Sequence, residues 1–145
     1  MVEIKRFDGS WLESVAALEN RAGDVRWSRA QFEKELSLPM SRFFVMTQDH
    51  ALLGYGGYWK VGLEAQIINL VIEPKDRRQG SGERLLRFLL EQARSEACQR
   101  CSLDVRASNH AALSLYGKVG FQKVGQRPRF YEAPMEDAVL MEKVL

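Results

Sequence analysis

The stretch Ile67-Ile68-Asn69-Leu70-Val71-Ile72, followed by Glu73-Pro74-Lys75-Asp76-Arg77-Arg78-Gln79-Gly80-Ser81-Gly82, decides the fold. Its first part reads as a buried strand, ended by Glu73-Pro74. Beyond it, Glu83-Arg84-Leu85-Leu86-Arg87-Phe88-Leu89-Leu90-Glu91-Gln92-Ala93 carries apolar residues at helical spacing. Two glycines therefore stand where a strand turns into a helix. The first four N–H groups of a helix have no partner inside it and carry the positive end of its dipole. Gly80 and Gly82 let a ligand approach that backbone, and Arg77 and Arg78 add positive charge beside it. The combination suits a phosphate or pyrophosphate. No Gly-Lys-Ser/Thr follows and the three-glycine dinucleotide pattern is missing, so two common phosphate loops are excluded. A glycine turn with a solvated basic rim is the other reading of this stretch.

Working outward, Val2 to Phe7 alternates as a strand, and Ser10-Trp11-Leu12-Glu13 has capping-box spacing for a first helix. Ser28-Arg29-Ala30-Gln31 repeats that signal before a short helix stopped near Pro39, with an exposed loop from Ala22 to Trp27 between them. Phe43 to Met46 and Leu52 to Trp59 read as strands joined by a turn at Gln48-Asp49-His50. Three glycines in the second strand predict a bulge or close backbone packing. After the long helix, Ser102 to Arg106 is a strand with Asp104 on the face opposite Leu103 and Val105. Asn109 is placed to cap a helix from Ala111 to Lys118, and Gly120 to stop it. Phe121 to Gly125 reads as a short strand, Arg127-Pro128 as a turn and Ala138 to Met141 as the last strand. Strands and helices intermix, with hairpin and crossover connections. The class is mixed α/β (α+β) with a mostly antiparallel sheet.

At 145 residues, 46% apolar and 28% charged, the chain fits one soluble domain over residues 1–145. A net charge of +2 gives no argument for nucleic acid or a membrane surface. There is no bilayer-spanning apolar run and no signal-peptide core at Met1 to Arg6, so a cytoplasmic protein is expected. Cys98 and Cys101 are spaced C-x-x-C. Only His50 and His110 are available to complete a zinc site, neither at ligand spacing, so no metal is expected. The motif follows a helix rather than opening one, which favours ordinary buried thiols over a redox pair.

The strand–R-x-x-G-x-G–helix unit, with Asn109-His110-Ala111-Ala112-Leu113-Ser114-Leu115-Tyr116 and Gly120-Phe121 downstream, resembles the Gcn5-related N-acetyltransferases (GNAT). Trp27-Ser28, Phe32, Glu35-Leu36, Val105 to Asn109, Tyr131 and Glu136-Asp137-Ala138 with Met141 resemble the RimI branch of that family. Members of that branch acetylate the N-terminal alanine of a small-subunit ribosomal protein, and the likeness covers nearly the whole chain. It implies a mixed sheet splayed in the middle, about four flanking helices and acetyl-CoA held in the splay.

Carried over by the resemblance, Leu70, Val71 and Ile72 pair with the pantetheine arm. Arg77, Arg78, Gln79, Gly80, Ser81, Gly82 and Glu83 hold the pyrophosphate, and Asn109 contacts the pantetheine. Tyr116 is the general acid, and Asp104 stands where the branch has a catalytic glutamate. Trp27, Asn69 and Tyr131 fall on the peptide side. The partner implied is a protein or peptide N-terminus, with a ribosomal protein as the model. Departures from the pattern are the shorter Asp104, Arg26 where a proline often stands, the acidic Glu83, and Phe130 before Tyr131.

The residues leave alternatives open. Tyr116 fits plain packing, Asn109 a simple helix cap, and Asp104 an ion pair with Arg106 on the same strand face. Glu136 and Asp137 offer a negative rim to a basic peptide. A covalent route through Cys98 or Cys101, acetylation of a small amine or a lysine, and a non-catalytic acyl-CoA sensor are the rival functions.

Overall fold

In the computed structural model, residues 1–77 and 79–145 are described. Arg78, assigned above to the phosphate loop, lies outside them. Strand β4 (Glu64–Ile72) is the centre of the sheet, the buried segment read from the sequence with three further residues at its start. The other strands are β1 (Val2–Arg6), β2 (Ser41–Gln48), β3 (Ala51–Val61), β5 (Arg100–Arg106), β6 (Gln122–Tyr131) and β7 (Glu136–Val144). They lie in the order β1-β2-β3-β4-β5-β7-β6. Every neighbouring pair is antiparallel except β4 and β5.

Two helices cover each face. Helices α1 (Leu12–Ala22) and α2 (Arg29–Glu35) pack Val15, Leu18 and Phe32 against Phe43, Val45, Tyr55 and Val71. On the opposite face α3 (Ser81–Ser95) and α4 (His110–Val119) pack Leu86, Leu89, Leu90 and Tyr116 against Phe44, Tyr58, Ile67, Leu103 and Val105. The apolar positions of α3 recur every three or four residues, which puts its buried leucines on one stripe. The β4–α3–β5 segment is the crossover that two parallel strands require.

The caps follow the sequence in two helices and depart from it in one. Ser28 and Gln31 form the reciprocal capping box of α2. Asn109 Oδ1 accepts from Ala112 N at 3.1 Å, and Gly120 ends α4 at φ 112°. At the first helix, however, the N-cap position is Trp11 with no capping side chain, and Asp8 caps the turn before it. Its carboxylate accepts from Ser10 N at 2.9 Å, and a 3-10 turn over Gly9–Trp11 precedes α1. The Ser10 signal fails because this earlier carboxylate already holds the chain end. The expected turn at Arg127-Pro128 is also corrected, since β6 runs through it. Strand β6 is an edge strand, and Pro128 falls in an irregular stretch, residues 128–130, that has no partner on β7, with Arg129 at φ 52°.

The glycines of β3 serve close packing. A Cβ on Gly57 would lie 2.4 Å from the Phe43 ring, and one on Gly54 would lie 2.6 Å from the Val71 carbonyl oxygen. The pairing of β3 with β4 also shifts at Gly57/Tyr58, where the extra residue is Ile68 on β4, while the extra residue on β3 is Leu53, against β2. Gly57→Ala should therefore lower stability by about 1–3 kcal/mol, the usual effect of overpacking a core. Urea unfolding reads this as a lower midpoint; an unchanged midpoint would contradict the packing of Phe43 on bare backbone.

Candidate active site

Strands β4 and β5 pair over only three positions, Glu64↔Arg100, Ala65↔Cys101 and Gln66↔Ser102. Beyond them β4 keeps β3 as far as Gly54↔Ile72, and β5 keeps β7 as far as Arg106↔Ala138. The edges that face each other across the gap have no strand partner. Backbone polar groups at such an edge need a ligand, water or another chain. The gap opens toward the carboxyl ends of two parallel strands, the side on which open α/β sheets bind ligands. Leu70, Val71 and Ile72 line it from β4, with Val71 and Ile72 buried.

The carboxyl end of β4 leads into the glycine loop. Gly80 sits at φ 81° as the N-cap of α3 and supplies no capping side chain, so the first-turn N–H groups of a 15-residue helix stay open to an anion. A Cβ on Gly80 would meet nothing within 4 Å, and one on Gly82 would meet Leu115 and Ile72 only at 3.5 and 3.7 Å. The fold itself thus leaves room in front of Gly82. Gln79 is exposed, Ser81 half-buried, and Arg77 Nε donates to the Ile72 carbonyl at 3.3 Å. Glu83 does not oppose an anion here. Its carboxylate is paired with Lys118 at 2.8 Å and Arg87 at 2.9 Å, and these hydrogen bonds hold it below the usual carboxylate range. The free strand edge, the bare helix start and the unfilled space at Gly82 fit the pantetheine and pyrophosphate of acetyl-CoA.

Asp104 lies two residues beyond the last β4–β5 pair, on the freed part of β5. The ion pair with Arg106 weighed from the sequence is not what forms. Arg106 Nη1 donates to Glu136 at 3.3 Å and to the Pro134 carbonyl at 3.0 Å, and its Nε lies 3.8 Å from Asp24. The guanidinium also covers the Tyr131 ring at 4.5 Å. Arg106 thus fastens the β6–β7 turn beside the gap. Glu136 and Asp137 are fasteners too, not a free acidic rim. Glu136 accepts from Ser108 N at 2.6 Å, and Asp137 accepts from Arg129 N at 3.0 Å and from Gln126 at 2.7 Å. These bonds hold both carboxyls below their usual range.

Tyr116 is 8% exposed, with its ring edge-on to Phe121 at 5.7 Å. Burial, and after it the neighbourhood of Tyr131, Cys101 and Asp24, pushes its hydroxyl above the ordinary tyrosine range. It therefore stays protonated at neutral pH and can donate. Tyr131 is pushed up to about 12 by burial, then by Asp104 and Asp24. Tyr131 thus lies near Asp104, Asp24 and Arg106, and Tyr116 near Tyr131 and Asp24.

Trp27 is half-buried and packs on Phe32 and Phe43 at 5.3 and 5.9 Å, which fixes the loop between α1 and α2. Asn69 is buried and its amide is fully engaged. Its Oδ1 accepts from Leu70 N at 3.1 Å, and its Nδ2 donates to Glu19 at 2.8 Å. Asn109 has its Oδ1 in the helix cap, leaving the amide donors. Cys98 and Cys101 are both buried, and desolvation pushes Cys101 up to about 12, which removes thiolate character. Asp24, Arg106 and Glu19 were missed from the sequence. Arg106 shares a strand face with Asp104 and was open to this reading; no local signal marks the other two.

A profile of the Acetyltransferase (GNAT) family matches residues 12–121. The chain is 37% identical over 125 residues to the N-alpha-acetyltransferase RimI of Mycobacterium tuberculosis, covering 83% of this chain and 77% of that protein. It is 30% identical over 145 residues to the [ribosomal protein bS18]-alanine N-acetyltransferase of Escherichia coli K12, covering 97% and 96%. The crystal structure of the ribosomal-protein-S18-alanine N-acetyltransferase from Escherichia coli superposes with a TM-score of 0.92 over 99% of this chain and 94% of that one, at 29% identity.

Because a Cβ at Gly82 meets only ordinary contacts within the fold, Gly82→Ala should fold. It should gain roughly 0.5–1 kcal/mol of helix stability. Acetyl-CoA affinity should nonetheless fall, as read by titration calorimetry. A folded variant with wild-type affinity would contradict the loop assignment.

Proposed function

This chain belongs to the acetyltransferase (GNAT) family, and from that premise we propose that it moves an acetyl group from acetyl-CoA to a protein N-terminus, with alanine as first residue. The observation that carries this reading is the gap between β4 and β5, with Asp104 half-exposed on its freed β5 edge; Tyr116, buried and protonated in the apolar cluster that contains Leu103 and Val105 of the same strand, supports it as the acid. The near-full-length likeness to alanine N-acetyltransferases supports the choice of acceptor.

Leu70, Val71 and Ile72 hold the pantetheine on their free edge, and Gln79 to Glu83 with Arg77 and Arg78 hold the pyrophosphate. Bound acetyl-CoA supplies a thioester carbonyl open to an amine. Asp104 takes the proton of the incoming ammonium, directly or through one water. A free N–H of β4 polarises the carbonyl. Tyr116 gives its proton to the departing sulfur, and Asn109 steadies the arm. Trp27 and Tyr131 flank the peptide; Asn69 acts on that side only through Glu19.

Proton chemistry favours a chain terminus over lysine. An α-amine has a pKa near 8 and a lysine amine near 10.4, so freeing the nitrogen at pH 7 costs about 1.4 and about 4.6 kcal/mol respectively. A half-exposed aspartate suffices for the first and is poorly matched to the second. Peptides beginning with alanine should therefore outcompete blocked peptides carrying an internal lysine, and free polyamines, when products are counted by mass spectrometry. Faster acetylation of the blocked peptide or the polyamine would overturn the reading.

The acid assignment makes a separate expectation. Tyr116→Phe keeps the ring and removes the proton, so kcat should fall by about 10²–10⁴ with acetyl-CoA affinity retained. Asp104→Asn should also lower turnover, whereas Asp104→Glu should preserve it. Wild-type turnover in Tyr116→Phe, with chemistry rate-limiting, would remove Tyr116 from the reaction.

A further inference from the structure

Glu19 is the least expected charge in the molecule. It lies on α1, is 1% exposed, and has no ion-pair partner among the described residues. Its carboxylate is nevertheless well supplied with donors. Oε1 accepts from the Tyr55 hydroxyl and from Asn69 Nδ2 at 2.8 Å, and Oε2 accepts from Arg26 N at 2.7 Å. The three donors come from β3, β4 and the loop between α1 and α2.

Burying a carboxylate without a cation costs several kcal/mol, and an apolar side chain of similar volume would hold a core at least as well. Core stability alone thus does not account for it. Its connections say more. Arg26 sits at φ 56°, a left-handed conformation that favours glycine. Glu19 Oε2 accepts the backbone N–H of that residue, one position before Trp27. Gly23 has no room for a side chain, since a Cβ there would fall 2.0 Å from the Glu19 carboxylate. The loop is therefore folded around this one group. On the other side, Asn69 links the same carboxylate to β4 and spends its Oδ1 on the N–H of Leu70, the first residue of the free edge. A continuous chain runs from Leu70 through Asn69 and Glu19 to Arg26.

We propose that Glu19 is a positioning residue that sets the peptide-receiving loop 23–28 in register with the acetyl-CoA edge of β4. This rests on the transferase reading given above. The loop carries Asp24 to Arg106 at the freed end of β5 and seats Trp27 on Phe32 and Phe43. Without the carboxylate, the loop loses its tie to β4 while the β4 edge itself stays paired to β3. Peptide recognition is then affected and acetyl-CoA binding is not.

Glu19→Gln keeps the shape and replaces one acceptor oxygen by an N–H donor. The expected result is a peptide KM raised about tenfold or more, the scale of one charge-assisted hydrogen bond. Acetyl-CoA affinity by calorimetry should stay within about twofold. Asn69→Ala cuts the same chain from the β4 side and should raise peptide KM in the same way. Tyr55→Phe removes a donor to Glu19 and an acceptor from Asn69 Nδ2 but leaves the links from Leu70 through Asn69 and Glu19 to Arg26, so it should lower thermal stability with little change in peptide KM. A folded Glu19→Gln with wild-type peptide KM would overturn the proposal, and so would equal losses of peptide and acetyl-CoA binding. If Glu19→Gln does not fold, Asn69→Ala decides by the same criteria. Wild-type protein that acetylates no N-terminal peptide would refute the transferase reading instead. Amide exchange then decides the role of Glu19: faster exchange over residues 23–28 in Glu19→Gln supports it, and unchanged exchange refutes it.

Discussion

The structure depends on the separation of β4 from β5 after three residue pairs. Two parallel strands joined by a helix would ordinarily stay paired to their ends. Here each keeps a partner on its outer side, β3 for β4 and β7 for β5, so the sheet survives the break. The bulge opposite Gly57/Tyr58 turns β4 just past the last shared pair. The apolar cluster under α3 and α4 joins Phe44, Tyr58 and Ile67 of one half to Leu103, Val105 and Val139 of the other and so holds the halves together. A row of backbone groups is thereby left for a ligand, with the bare start of α3 following β4 and the capped start of α4 following β5.

In the proposed mechanism this geometry gives two polar side chains different tasks through their surroundings. Tyr116 is enclosed by apolar packing and keeps its proton. Asp104 stands on an open strand edge, half-exposed, where a charge is tolerated. Three further acids near the site are held by partners: Glu83 by Lys118 and Arg87, Glu136 by Arg106 and Ser108, Asp137 by Gln126 and Arg129. The acid at the start of α3, Glu83, is thus already paired where an anionic acyl carrier would bind.

The glycine loop, the long helix and the Asn109 cap were legible in the sequence because each is a local event, set by a few adjacent residues. So was the placement of Asp104 on one strand face, which follows from alternation alone. The end of β6 was not legible: Pro128 reads as a break unless the strand is known to be an edge. Ser10 misled for a similar reason, since Asp8 takes the amide first. The partners of Arg106, Glu136 and Asp137 are contacts across the β6–β7 hairpin or between separate loops, and no spacing rule reaches them. Glu19 is the clearest case. On α1 it looks like an ordinary polar position, and only the fold brings Tyr55, Asn69 and Arg26 around it.

The central claim is that the free edge of β4 and the bare start of α3 form one ligand site. Backbone amide hydrogen exchange with and without coenzyme A tests it most directly, because exchange reports each N–H group separately. The account predicts slowed exchange at amides within Leu70 to Ile72 and at Ser81 to Glu83, with β1, β6 and the far end of β3 unchanged. Protection spread evenly over the sheet, or confined to strands away from the β4–β5 gap, would contradict it.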